Sequence, residues 1–130
     1  MSLSDTILNA IPEDWGAFGL TEEPLGESGT ILAVAGELDI ATAPELRGRL
    51  TAAIEAGKTG IVVDLREVAF MDSVAMAAIL HARTQLGDRG RLAVVLDDES
   101  YTRLVFEIAG LPRCLDLFET REAAAAHVSG

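Results

Sequence analysis

Apolar residues along this chain follow two alternating patterns. Four short segments are rich in apolar residues, as is typical of strands buried in a sheet: TILAVAG at residues 30–36, TGIVVDL at 59–65, RLAVVL at 91–96 and CLDLF at 114–118. Between them, apolar residues recur at every third or fourth position, which predicts amphipathic helices. Because neighbouring parallel strands need long, usually helical connections, this alternation predicts an α/β fold with a mostly parallel sheet.

One more strand is predicted before these four. The segment FGLTEEPLGESG, residues 18–29, is typical of a short edge strand and a turn, since Pro24 has no amide hydrogen and edge strands tolerate that loss. The resulting hairpin makes the sheet mixed. The preceding residues have a helix-like spacing that Pro12 interrupts. We therefore divide the chain into an N-terminal arm, residues 1–17, and one domain, residues 18–128.

The predicted helices have recognisable ends. In the first, Thr42 is the candidate N-cap and Gly57 the C-terminal stop. The second begins after Asp72. The third follows the carboxylates of residues 97–99, which we expect to cap it. Its apolar residues form one stripe: Tyr101, Leu104, Val105 and Ile108. A short Ala-rich helix is predicted within TREAAAAHV, residues 120–128.

Composition narrows the choice of partner. The 130 residues carry 10 Lys and Arg against 21 Asp and Glu, a net charge of -11 that repels nucleic acid and anionic membranes but leaves a basic protein partner open. The longest apolar run, residues 74–80, is far too short to span a bilayer, and no signal-peptide pattern begins the chain. We therefore expect a cytoplasmic protein. Cys114, the single cysteine, is expected to be a buried structural thiol.

The candidate catalytic groups do not form a convincing active site. Ser73 would need a nearby base to act as a nucleophile, and His81 lies eight residues further along the same predicted helix, about 12 Å away. Glu37 and Asp39 sit two apart and would point the same way from an extended segment, but no His or Cys accompanies them. Such a pair is more typical of a turn or cap than of a metal or catalytic site. Glycine-rich nucleotide motifs are absent as well, so we expect a non-enzyme without a cofactor or metal.

One polar pair stands between apolar segments. In VAFMDSVAMAAIL, residues 68–80, Asp72 and Ser73 fall where a strand passes into a helix. Asp72 is placed to be the N-cap, which leaves Ser73 in the first turn with its hydroxyl near the surface. Phosphorylation there would add about -1.5 to -2 charges at a helix N-terminus, changing the local surface while the fold survives. That chemistry suits a binding switch.

The order of the motifs adds a family resemblance. VAGELDIATAPELRGRL, IVVDLREVAFMDSVAMAAIL, GRLAVVL and RLVFEIAGLPRCLDLFETREAA together resemble the STAS-domain anti-sigma factor antagonists of bacteria. The resemblance covers about residues 18–128 and includes both signature blocks, GELD and FMDS. It implies a single STAS domain with a four- to five-stranded mixed β-sheet packed against about four α-helices.

The resemblance also implies a function. Such proteins bind an anti-sigma factor and thereby free a sigma factor; the anti-sigma factor is often an ATP-dependent serine kinase, and a metal-dependent serine phosphatase reverses the modification. The phosphoacceptor falls on Ser73, and ATP would be the cofactor of the kinase. The implied partner-binding residues are Glu37, Asp39, Thr42, Asp72, Ser73, Val74, Ala75 and Met76. A homodimer is a further possibility.

Two alternatives of other classes remain open. Val74 and Ala75 stand where the family usually has Ser or Thr and then Gly, which motivates a STAS module that is never phosphorylated. Such a module would be a constitutive scaffold, or a subunit of a signalling or lipid-transport assembly. An enzyme ranks third and would require a turnover that depends on Asp39 or Asp72.

Overall fold

The computed structural model describes residues 17–129 as a five-stranded sheet with four α-helices. The strands are β1 (Gly19–Leu25), β2 (Gly29–Leu38), β3 (Gly60–Met71), β4 (Arg91–Val95) and β5 (Asp116–Phe118). The helices are α1 (Ala43–Glu55), α2 (Ser73–Leu86), α3 (Tyr101–Ile108) and α4 (Arg121–Ser129). Two short 3-10 turns lie at Gly87–Arg89 and Leu111–Arg113. The predicted arm, residues 1–17, lies outside the described residues except for Ala17.

The strands lie side by side in their sequence order. β1 is antiparallel to β2, and the remaining neighbours are parallel. The hairpin turns at Gly26, whose φ of 63° belongs to the left-handed region that favours glycine. Pro24 lies in β1, at the edge of the sheet, as its missing amide requires. The predicted mixed α/β sheet is confirmed.

Each face of the sheet has its own core. On one face α1, α2 and α3 pack over alternate residues of β2, β3 and β4, with Leu32, Val63 and Val94 fully or almost fully buried at the centre. On the other face α4 covers a smaller cluster through Ala124 and Val128. The central strands are therefore mostly apolar on both sides, which explains why they appear in the sequence as nearly continuous apolar runs rather than as alternating ones.

Helix α3 corrects two sequence predictions. Its buried residues are Thr102 and Phe106, while Tyr101, Leu104 and Ile108 of the apolar stripe are exposed. The reason is a tertiary contact: the Thr102 hydroxyl donates to the Val68 carbonyl at 3.3 Å, so a polar side chain is satisfied inside, and Phe106 fills the remaining space. The cap of α3 is also different. Ser100 accepts a hydrogen bond from the Arg103 amide at 3.0 Å, and residues 97–99 precede the cap.

The prediction of a buried thiol is wrong. Cys114 is exposed. The strand that was expected to contain it begins only at Asp116, and Cys114 lies in the turn before it. In that turn Leu111 and Leu115 are the residues that point into the core.

Candidate functional site

The GELD and FMDS blocks, which we call the two acidic motifs, meet at the carboxyl ends of β2 and β3. Leu38, in the GELD motif, pairs with Met71, which immediately precedes Asp72. The Asp72 amide donates to the Leu38 carbonyl at 3.0 Å. Parallel pairing of two strands thus joins segments that are far apart in the sequence into one surface.

The first motif forms a turn that its own side chains hold together. Asp39 Oδ1 accepts hydrogen bonds from the Ala41 amide at 2.9 Å and the Thr42 amide at 3.1 Å. The Thr42 hydroxyl accepts from the Asp39 amide at 2.9 Å and donates to the Glu37 carbonyl at 2.7 Å. The interpretation of Asp39 as a turn residue is confirmed. Thr42 occupies the predicted N-cap position of α1, but its side chain makes no capping hydrogen bond, because its hydroxyl is engaged in this turn.

The second motif starts α2 as predicted. Asp72 has extended backbone angles, φ -101° and ψ 178°, and its Oδ1 accepts from the Val74 amide at 3.0 Å and the Ala75 amide at 3.2 Å. This is an N-cap in which one carboxylate satisfies two of the free amides of the first turn. Ser73 is the first helical residue and is exposed. Its hydroxyl therefore faces solvent beside a carboxylate.

The eight predicted partner-binding residues are not equally accessible. Glu37, Ser73 and Val74 are exposed, whereas Asp39, Thr42, Asp72 and Met76 are partly buried. Ala75 is fully buried, so its methyl group belongs to the core and offers nothing to a partner. This removes Ala75 from the candidate surface.

Two apolar residues on this surface escaped the sequence analysis. Ile40 is 74% exposed and Phe70 is 41% exposed, and together with Val74, at 45%, they place three apolar side chains in the segments that carry the acidic motifs. The sequence signal that could have revealed them was a bulky apolar residue directly beside a predicted turn, a position where burial is not expected. An exposed apolar group of this kind is typical of a protein-binding surface.

A groove lies between α1 and α2 beside Ser73. It has a volume of about 400 Å³. Its lining residues are Ala43, Pro44, Arg47, Val74, Ala77, Ala78 and His81. The small side chains form an apolar floor, and Arg47 and His81 place basic groups at the wall. The groove extends the apolar surface at Val74 along the first two turns of α2.

A charged cluster lies on the opposite face of the sheet. Asp64 of β3 is only 5% exposed and accepts from Arg66 Nε at 3.0 Å, Arg66 Nη2 at 2.8 Å and Arg121 Nε at 2.7 Å. Burial raises the pKa of Asp64, but the hydrogen bonds from Arg66 and Arg121 outweigh it and lower the pKa from 3.8 to about 2. Arg121 also pairs with Glu23 of β1. The cluster ties α4 to the sheet and lies outside the surface around Ser73.

Metal and membrane sites find no support in this part of the chain. Within residues 17–129, no group of three or more His, Cys, Asp or Glu side chains is arranged to hold a metal ion. Over the same residues, no helix combines the length and apolarity needed to cross a membrane.

Comparisons with known proteins agree with this fold. The anti-sigma-B factor antagonist of Staphylococcus aureus strain NCTC 8325 is 32% identical over 89 residues, which cover 68% of this chain and 82% of that protein. An anti-sigma factor antagonist from Mycobacterium paratuberculosis, 24% identical, superposes with a TM-score of 0.79 over 88% of this chain and 97% of that one. The Bacillus cell fate determinant SpoIIAA in its phosphorylated form, 27% identical, has a TM-score of 0.61 over 85% of this chain and 98% of its own.

The family itself is identified by a direct match. A model of the STAS domain matches residues 22–124. The matched range contains both acidic motifs, all of β2, β3, β4 and β5, and the helices between them. The chain therefore belongs to the STAS domain family.

Proposed function

We propose that this protein is an anti-sigma factor antagonist that binds an anti-sigma factor and is switched off by phosphorylation of Ser73. The observation that carries the proposal is the exposed Ser73 hydroxyl at the start of α2, next to the exposed apolar side chain of Val74. The relatives support the function: one is an anti-sigma-B factor antagonist, and another was solved in a phosphorylated form.

The surface around Ser73 has the composition of a docking site. Ile40, Phe70 and Val74 supply exposed apolar side chains in the segments that carry the acidic motifs. Glu37 and Asp72 add negative charge to the same segments, while Arg47 and His81 line the neighbouring groove. Apolar contacts with a polar rim are the usual arrangement of a protein interface. The net charge of -11 favours a partner with basic residues around its binding groove, and it disfavours nucleic acid.

A phosphate on Ser73 would act on this surface rather than on the fold. The first-turn amides of Val74 and Ala75 are already bonded to Asp72, so they are not free to neutralise a phosphate. The new charge of about -2 would stay in solvent beside the Asp72 carboxylate. Docking would then require desolvation of a dianion next to an apolar patch, which opposes binding while α2 keeps its cap.

In this proposal the anti-sigma factor is also the serine kinase, with ATP as its cofactor, and a metal-dependent serine phosphatase restores the hydroxyl. The test uses the purified protein with the anti-sigma factor encoded nearest to its gene. Incubation with ATP should add one phosphate by intact mass. Ser73→Ala should abolish the addition, and Ser28→Ala, an exposed serine in the β1–β2 turn, should not.

Binding is measured on the same samples. We expect the phosphorylated protein to bind the anti-sigma factor at least tenfold more weakly than the unmodified protein. An unchanged mass after incubation, or a phosphate that persists in Ser73→Ala, would refute the switch. A phosphorylated protein that binds as tightly as before would show that the modification does not control docking.

A constitutive scaffold is the second candidate. The observation that favours it is Val74, a branched apolar residue beside the hydroxyl, which suits permanent docking better than regulated docking. A scaffold predicts that Ser73→Ala, Ser73→Asp and the unmodified protein bind their partner with equal affinity. Recovery of membrane-transporter subunits instead of an anti-sigma factor would assign it to a transport assembly.

A further inference from the structure

The large exposed apolar side chains of the described residues fall into two groups. One group, Ile40, Phe70 and Val74, belongs to the surface around Ser73. The other lies on α3: Tyr101 is 58% exposed, Leu104 51% and Ile108 77%. We call this second group the α3 stripe. The proposed function makes no use of it.

The α3 stripe is presented by a fixed helix. Thr102 bonds to the Val68 carbonyl, Phe106 is fully buried, and Ser100 caps the first turn. Residues at positions 101, 104 and 108 of a helix follow one another along a single side. Three large apolar side chains are therefore aligned toward solvent on a rigid support, and this helix cannot turn them inward without removing Phe106 from the core.

Carboxylates border the α3 stripe. Asp97, Asp98 and Glu99 are exposed in the loop before the helix, and Glu107 is exposed within it. The single cation of α3, Arg103, pairs with Glu107 at 3.1 Å, so the loop carboxylates keep their negative charge uncompensated by this helix. A shallow groove joins the two features, because Asp98 and Glu99 line it together with Tyr101 and Leu104.

These charges discriminate between possible occupants. A second copy of this chain carries a net charge of -11 and would be repelled, both as a whole and by the same acidic border. An amphipathic helix with Lys or Arg beside its apolar face would instead match the stripe in hydrophobicity and the border in charge. The match requires no change in the conformation of α3.

We propose that the α3 stripe is a second docking surface, separate from Ser73, and that it takes a basic amphipathic helix of a partner protein. The two surfaces come from different elements, β2–α1 and β3–α2 for one and α3 for the other. The proposal does not depend on the identity of the protein that docks at Ser73.

Two designed helical peptides of about 18 residues serve as probes. The first has Leu on one face and Lys on both sides of that face, and the second has Glu in place of each Lys. Each is titrated into the full chain while backbone amide chemical shifts are recorded. We expect the Lys peptide to shift residues 98–109 and the Glu peptide to bind at least tenfold more weakly. Raising the salt concentration should weaken only the Lys peptide.

Variants locate the contact. Leu104→Ser and Ile108→Ser, at exposed positions, should weaken the Lys peptide at least tenfold, and so should Asp98→Lys combined with Glu99→Lys. Glu27→Lys combined with Glu55→Lys, the same charge change at two exposed positions outside α3, should leave the affinity within twofold. A melting curve for each variant verifies folding. Equal binding by wild type and Leu104→Ser, shifts confined to residues 70–78, or no binding at all would overturn the proposal. A change of mass in light scattering caused by Leu104→Ser would assign the stripe to a second copy and overturn it too.

Discussion

Replacing Asp64 by Asn tests the ion cluster that joins β3 to α4. The substitution keeps the size of the side chain and removes the charge that Arg66 and Arg121 contact. The pKa of Asp64 falls from 3.8 to about 2 in the folded protein. With about 1.4 kcal/mol for each pKa unit, the ionised carboxylate stabilises the fold by about 2 kcal/mol relative to its protonated form. The side chains of both arginines are more than one third exposed to solvent. Water can therefore hydrate their guanidinium groups when the charge of Asp64 is removed.

The sign of the pH dependence follows from the direction of the shift. A carboxyl with a lowered folded pKa contributes stability above the unfolded value of 3.8, and loses it as the pH falls through about 2. We expect Asp64→Asn to lower the free energy of unfolding by about 2 kcal/mol at pH 7. The difference between the two proteins should shrink steadily below pH 4 and be small near pH 2.

The assay is urea denaturation of wild type and variant across this pH range, followed by circular dichroism. Other carboxylates titrate in the same range, and the comparison at each pH cancels their contribution. Asp88→Asn, in the exposed turn after α2, serves as the matched control and should change stability by less than about 0.5 kcal/mol. Equal stability of Asp64→Asn and wild type at pH 7, or a difference that stays constant down to pH 2, would refute the reasoning.

Four further substitutions test other parts of the fold by the same denaturation assay. Asp72→Ala removes the cap of α2 and should cost about 1 kcal/mol; an unchanged midpoint would contradict the cap. Thr42→Val removes the hydroxyl that joins Glu37 to Asp39 and should cost about 1 kcal/mol, with a matching rise in amide exchange at Asp39. Phe106→Ala should cost about 3–5 kcal/mol and Ile108→Ala less than about 0.5; the reverse order would mean that α3 is rotated.

The sheet could be predicted from the sequence because strands that are buried on both faces appear as runs of apolar residues. β2, β4 and the first half of β3 are nearly continuous apolar runs, and Asp72 stands at the junction where β3 passes into α2. The helix α3 was harder. Its apolar residues outnumber its buried ones, and the choice of face depended on Val68, which accepts the Thr102 hydrogen bond from a strand 34 positions earlier. The spacing of apolar residues along a helix carries no information about such a contact.

The ion cluster around Asp64 was not predicted from the sequence either. Asp64 and Arg66 are two apart and therefore share one face of β3, a signal that was present and not used. Arg121 lies 57 positions from Asp64, and only the return of α4 to the second face brings it there. The accessibility of Ala75 depended in the same way on the rotation of α2, which Asp72 sets through its bonds to the first turn.

The order of the strands has a consequence for synthesis. Because each strand lies beside the one made just before it, the sheet can grow in the order in which the ribosome releases the chain. The segments up to the first turn of α2 already contain both acidic motifs and the Asp72 to Leu38 hydrogen bond. Arg121 emerges only with α4, about 50 residues later, and then reaches back to Asp64. A nascent chain can therefore form the structure around Ser73 before α4 packs against the sheet.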